Sequence, residues 1–404
     1  MKKLILSAAF ALIFLASPAL AQDAPAPAGQ APVDLPSEFT ETPMTDTVAP
    51  DQFYRAVILE VKSQEDVETG MSTITTQVLR LRFTTGDLKD QEKEIPNDGV
   101  FTINGGEPLE AGQQILVYKT AASGQEEFYV ADTYRLPSLL VIIGAFILLA
   151  IALSRWKGVM SILGLAVSIL VIAKLIVPMI IDGKNPLLVS LLGALIIALV
   201  SIYLSHGFNR RTSIALVSTL FTLGIAAGLS IIFVKASHLF GMGSEEAFYV
   251  QQLGVLQDLN LQGLLLGGII LGALGVLDDI TTAQTAAIYE IKRANPALDY
   301  RELYTRGIRV GREHISSLVN TLFLAYAGAS LPLFLFFTVG GANQPIWVTL
   351  NSEFIAEEVV RTLVGSIALM LAVPITTFLA SYYFGSRPVE ESPEDSGEHV
   401  GHSH

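Results

Sequence analysis

Seven apolar runs fill the chain beyond residue 135, at 136–154, 159–181, 187–205, 214–234, 261–277, 315–339 and 359–384. Each is close to the ~20 residues that an α-helix needs to cross a bilayer, so the pattern predicts seven transmembrane helices. Upstream the hydrophobic period falls to two. Val57, Leu59 and Val61 alternate with polar residues, as do Leu79, Leu81 and Phe83, and shorter runs follow at 114–119 and 127–131. Turn signals stand at Thr85-Gly86-Asp87, Asn97-Asp98-Gly99 and Asn104-Gly105-Gly106. Together they predict five or six short strands in a small β-barrel, OB-like in kind, over residues 51–135. Residues 22–50 are rich in Ala and Pro and poor in large apolar side chains, the composition of an extended linker. Residues 1–21 have the layout of an export signal: Lys2 and Lys3, an apolar stretch over 4–16, then Ala19-Leu20-Ala21. Cleavage after Ala21 is expected; an uncleaved anchor would add one span and leave the downstream topology unchanged. The expected fold is an α-helical integral membrane protein of about seven transmembrane helices, residues 136–384. A small N-terminal exported β-barrel-like domain precedes it.

Composition strengthens the membrane reading, since 51% of the 404 residues are hydrophobic and only 16% are charged. The net charge of −13 is unevenly placed. Residues 22–135 hold 20 acids against 8 bases, and the tail 385–404 holds 5 against 1, so acidity belongs to the two water-exposed ends. That excludes nucleic acid as an expected partner. Ordinary solubility accounts for such charge, as does binding of cations or a basic partner. On one predicted side the loops carry Arg155, Lys157, Arg210, Arg211, Lys292, Arg293 and four further arginines up to Arg312; the other side has only Lys184 and Lys235. By the positive-inside rule the β domain is expected to face outward and the acidic tail to lie in the cytoplasm. The absence of cysteine removes disulfides, thiol catalysis and cysteine-ligated metals.

The fifth run leads into an unusual segment. Gly268, Gly272, Gly275, Asp279, Ala283, Ala286 and Glu290 recur at steps of three and four, which on one helix makes a single stripe of small residues and acids. Carboxylates beside hydrocarbon mark candidate functional sites. Eleven residues set Asp279 and Glu290 about 16 Å apart along the axis, too far to share a proton. The spacing suits two stations on a path, or one functional and one interfacial acid; the plainer alternative is that Asp279 ends the span at the headgroups. Gly268, Gly272 and Gly275, with Gly328, are expected to serve helix packing, as are Gly224 with Gly228 and Gly263 with Gly267. Lys174, inside the second run, either meets a polar partner or snorkels outward. Asn320 and Thr321, upstream of Pro332, suit interhelical hydrogen bonds or a polar site within the bundle. Asn295-Pro296 is expected to break the inner segment 279–314. Beyond it a basic amphipathic helix would lie along the inner leaflet or bridge its neighbours. The segment 236–260, with Gly241-Met242-Gly243, is long enough to cap an opening.

Enzyme signatures are missing: there is no His-Glu-x-x-His, no Walker loop and no Gly-x-Ser-x-Gly elbow. Asp278-Asp279 lacks the acid on a second helix that an aspartyl protease requires. His399, His402 and His404 fit a solvated tail, so no metal, cofactor or catalytic residue is expected. The run Gly272 to Asp279, then Tyr289-Glu290-Ile291, Gly311-Arg312 and the stretch from Asn320 through Tyr326, Gly328 and Ser330 to Pro332, resembles the YibE/YibF-like family of bacterial multi-spanning proteins. The resemblance puts Asp279 and Glu290 at the family's acid positions and Asp278 where an apolar residue is usual. It also implies a permease, as such proteins are sometimes supposed to be. The leading expectation is a transporter or permease for an unknown small solute or ion, with membrane lipid around it. Spans five and six would enclose a polar path. Asp279 would take up a proton or cation, Glu290 would be an inner station, and Asn320 and Thr321 would supply oxygen ligands. The alternative is a non-transporting envelope scaffold or assembly factor whose exported β domain binds an envelope protein.

Overall fold

The computed structural model describes residues 52–69, 72–97, 108–120, 126–252, 259–340 and 345–386; the expected export signal and linker, and residues 387–404 of the expected acidic tail, lie outside them. The chain divides into two compact units, Met1–Arg135 and Leu136–His404.

The first unit is a five-stranded antiparallel sheet of β1 (Gln52–Thr69), β2 (Ser72–Phe83), β3 (Glu92–Asn97), β4 (Gln114–Thr120) and β5 (Glu127–Thr133). Its order is β3-β2-β1-β4-β5. No ladder joins β3 to β5 among the described residues, so the sheet is a half-barrel rather than the closed barrel expected. Leu79, Leu81 and Phe83 are buried as their alternation requires. On β1 the buried face is Tyr54, Ala56 and Ile58, not that of Val57 and Leu59. Register shifts at Ile58/Glu60 and Val61/Ser63 explain the difference. One extra residue reverses which side faces inward, so Val61 rejoins the core after the first bulge. Buried Gln77 ties the loop before β4 to β2, accepting from Leu109 N at 2.8 Å and donating to Leu109 O at 3.0 Å.

The second unit is helical. α1 (Leu136–Val171), a π-helical stretch (Ile172–Ile176) and α2 (Val177–Ile181) run together through 46 residues. Then come α3 (Pro186–His206), α4 (Arg210–Ala236), α5 (Glu245–Gln252), α6 (Leu261–Ala294), α7 (Tyr300–Ala329), α8 (Leu331–Gly340), α9 (Ile346–Leu350) and α10 (Glu353–Gly385). Among the described residues five helices are long and apolar enough to cross a membrane, or six if α7 and α8 count as one broken span. The expected count of seven differs because the first two apolar runs form one helix that breaks only at Arg155. There the backbone takes φ 51°, ψ −128°, a left-handed region that a side chain disfavours. The sixth run bends by 62° between α7 and α8. Pro332 lies in the first turn of α8, where its missing N–H leaves no bond unmade.

α4, α6 and α10 form the centre. Leu223, Ala226, Ile270, Leu274, Leu277, Val364, Ala368 and Ala372 are all nearly fully buried there. α6 ends at Asn295, before Pro296, and Lys292 folds under the turn to donate to Pro296 O (2.9 Å) and Leu298 O (2.7 Å). α7 then starts with a capping box of Asp299 and Glu302. It continues unbroken from the basic segment into the sixth apolar run, with Leu303, Gly307 and Gly311 buried. The basic segment is thus part of the bundle, not a separate surface helix.

Candidate functional site

The seam between α3 and α6 places the first polar group. At one end Gly263 and Gly267 let the helices approach: a Cβ on Gly263 would lie 3.2 Å from Pro186 Cδ, and one on Gly267 would overlap Ser190 Oγ. Further along, half-buried Asp278 sets Oδ2 3.5 Å from Ser201 Oγ, while its Oδ1 is buried with no hydrogen-bond partner. One turn beyond these two residues, Ser205 and Thr282 line a polar cavity of about 220 Å³ at the basic end of the bundle. Lys157, His206, Asn209, Arg211 and Thr212 complete its polar wall. Asn209 caps α4, accepting from Thr212 N at 2.9 Å. Arg211 stacks on Tyr289, 4.7 Å from the ring centroid, and lies 3.8 Å from Glu290.

A second polar layer crosses the bundle core. Thr219 on α4 and Thr281 on α6 share a hydrogen bond of 2.6 Å. Gln284 on α6 donates through Nε2 to Gly307 O (2.9 Å) and Thr377 Oγ1 (2.8 Å), so one amide links α6, α7 and α10. Glycine makes this crossing fit, because a Cβ on Gly311 would overlap Val373 and come within 3.2 Å of Gln284 Oε1. Thr219, Thr222, Thr285 and Thr377 each return a hydroxyl to the carbonyl four residues back. Thr376 Oγ1 and Ser381 Oγ have no such partner, nor have Gln284 Oε1 and His314 Nδ1, although all are buried. With Asp278 Oδ1 they make five of the six unpartnered buried polar atoms among the described residues, and these five lie in the halves of α6, α7 and α10 nearer the basic end; the sixth, Ser352 Oγ, precedes α10 at the other end. Each costs about 1–3 kcal/mol where neither protein nor water partners it, so these are the positions at which the core departs from purely apolar packing.

At the opposite end the loop after α4 straps onto α10. Phe240, Gly241 and Met242 donate backbone N–H groups to Glu353 Oε1 at 2.6, 3.0 and 3.3 Å, and Gly243 donates to buried Glu357 at 2.8 Å. Gly241 has φ +87°, and a Cβ on Gly243 would stand 2.6 Å from Glu357 Cδ.

The residues singled out from the sequence are scattered. Asp279 is exposed, on the same outward face as Gly268, Gly272, Gly275, Ala283 and Glu290. Glu290 lies 3.8 Å from both Arg211 and Arg293. Asn320 and Thr321 are exposed on α7, where Thr321 donates to Ser317 O of its own helix at 3.1 Å. Lys174 is exposed on the π-helical stretch. Gly268, Gly275 and Gly328 have no neighbour that a Cβ would meet, and Gly272 faces the Tyr326 hydroxyl at 3.3 Å. Of the other glycines expected to pack helices, Gly263 and Gly267 make close contacts and Gly224 and Gly228 have nothing a Cβ would meet; Gly307 and Gly311 are further close contacts. Asp278, Gln284, His314, Thr376 and Ser381 are what the pattern reading missed. A signal existed: Leu277, Thr281, Gln284 and Ile288 also recur at steps of three and four, and they continue the buried stripe of α6.

Several helices long and apolar enough to cross a membrane, packed around a partly polar core, are the architecture that a multi-pass membrane protein requires. The family model for YibE/F-like proteins matches residues 142–386, and the chain belongs to that family. Among curated proteins and solved structures, none matches.

Proposed function

We propose that the protein is a transporter whose route for a proton or cation runs through the basic half of the helical unit. The observation that carries this reading is the set of buried, unpartnered polar atoms on α6, α7 and α10, of which Asp278 Oδ1 stands one helical turn from a polar cavity. A core selected for stability alone would fill those positions with apolar side chains or pair them. Asp278 is the central group: it is half-buried, faces Ser201, and stands one turn from the cavity. Asp279, adjacent and exposed, offers the first carboxylate from the cytoplasmic side, where the basic end lies by the positive-inside rule. Gln284, Thr376 and Ser381 supply further oxygens, nearer the basic end than Asp278. Glu290, held at ion-pair distance from two arginines, fits the rim better than the route.

The test is proton flux in proteoliposomes loaded with a pH-sensitive dye, under an imposed pH gradient and with monovalent cations added in turn. Wild-type protein should dissipate the gradient faster than Asp278→Asn, with Asp279→Asn intermediate. Equal rates for wild type and Asp278→Asn, in protein of matching fold and orientation, would remove the transport reading.

A further inference from the structure

We infer that the cavity at the basic end, between α3, α4 and α6, is a binding site for a phosphate group. The inference does not rest on transport, because it concerns what the cavity holds and not what crosses the bundle. Three cationic or protonatable side chains, Lys157, His206 and Arg211, line the cavity from three separate segments, and no acid lines it. Such convergence is unlike a solvated basic face, whose side chains spread apart. Arg211 is also fixed in advance. Its guanidinium is stacked on Tyr289, which leaves the N–H edge free to point away from the ring. Glu290, at 3.8 Å, is beyond hydrogen-bonding distance, so the donors of Arg211 are not consumed by it. The Ser205 hydroxyl adds a polar group suited to an anion, while the hydroxyl and N–H of Thr212 are engaged with His206 O (3.3 Å) and Asn209 Oδ1 (2.9 Å) and shape the wall instead. Asp279 and Glu290 are the acids nearest the rim. They set the limit: a compact tetrahedral anion at a lining that holds two cations, Lys157 and Arg211, and the His206 imidazole is favoured, whereas a chain of acidic residues is not. The volume of about 220 Å³ admits one phosphate group with its first contacts.

The phosphate could be free or part of a lipid headgroup, and two probes separate these sources. Full-length protein in detergent is dialysed to equilibrium against radiolabelled inorganic phosphate in a chloride background. The same protein is reconstituted in vesicles of equal phosphatidylglycerol and phosphatidylcholine, extracted, and its retained lipid read by native mass spectrometry. One of the two probes should be retained by wild type and fall at least tenfold in Lys157→Gln/His206→Gln, a variant that leaves the Arg211–Tyr289 stack in place. Retention of phosphate identifies a free anion; preferential retention of phosphatidylglycerol identifies a headgroup. Arg211→Gln is compared with Glu290→Gln, which removes the same ion pair but should keep binding intact. If neither probe binds, or if the double variant binds as wild type does, the inference is overturned.

Discussion

At the scale of single residues, two glycines on neighbouring helices have opposite meanings. Gly311 on α7 lies where an added Cβ would overlap Val373 and press on Gln284, whereas Gly275 on α6 has open space around it. Gly311→Val should therefore lower stability by about 1–3 kcal/mol or prevent folding, since overpacking a filled core displaces side chains from their rotamers. Gly275→Val should stay within about 0.5 kcal/mol of wild type. Thermal melting of purified protein in detergent, followed by tryptophan fluorescence, ranks the two; a Gly275→Val melting point as low as that of Gly311→Val would contradict the placement of α6. The same contrast shows what the sequence could and could not reveal. Steps of three and four residues declare which side chains share a helical face, so the stripe through Gly268, Asp279 and Glu290 was legible. Which face turns toward the bundle depends on partners far away in the chain. Asp278, one residue round the helix, is the acid that packs inward, and nothing local distinguishes it from Asp279.

Among elements, the α4–α5 connection shows how a loop without regular structure is fixed. Three consecutive N–H groups converge on one carboxylate oxygen of Glu353, and a fourth reaches Glu357, so the first turn of α10 is the anchor of the strap. Hydrogen bonds to a charged acceptor are each worth about 1.5–3 kcal/mol. Glu353→Ala should speed amide exchange of residues 240–242 at least tenfold while leaving α6 unchanged. Hydrogen–deuterium exchange of the full chain reads this directly, and unaltered protection of Gly241 and Met242 would show that packing alone holds the loop. Sequence reading marked the Gly241-Met242-Gly243 segment as a cap but could not supply its partner, because Glu353 is 110 residues away and belongs to another helix. Strand faces failed for a related reason. β1 carries register shifts, and a period-two pattern read straight through a bulge assigns the wrong residues to the core. Long helices were legible because hydropathy needs no partner; their breaks at Arg155 and Ser330 needed the backbone.

For the whole molecule, two units with separate cores imply two separable responses to acid. In the β unit, the Tyr54 hydroxyl donates to Asp87 at 2.8 Å and holds that carboxyl below its usual range; hydrogen bonds from Arg82 do the same for Glu92. Depressed values mean that both acids are more readily ionised in the folded state than in the unfolded one. Their contribution is then fully present above the unfolded value near pH 4 and is lost as the pH falls through the lower folded value. Both groups are solvent-exposed, so the effect is local rather than global. It should appear as loss of protection in β3 and in the turn that follows β2, where Glu92 and Asp87 sit, as the pH falls below about 4. Amide exchange across the full chain, corrected for the intrinsic pH dependence of exchange, measures it unit by unit. Glu92→Gln keeps the shape of the side chain and removes its titration, so the variant should have a flatter pH profile in β3 with no change in the helical unit. A profile in the variant that matches wild type would mean that the Arg82–Glu92 contact does not hold the edge of the sheet.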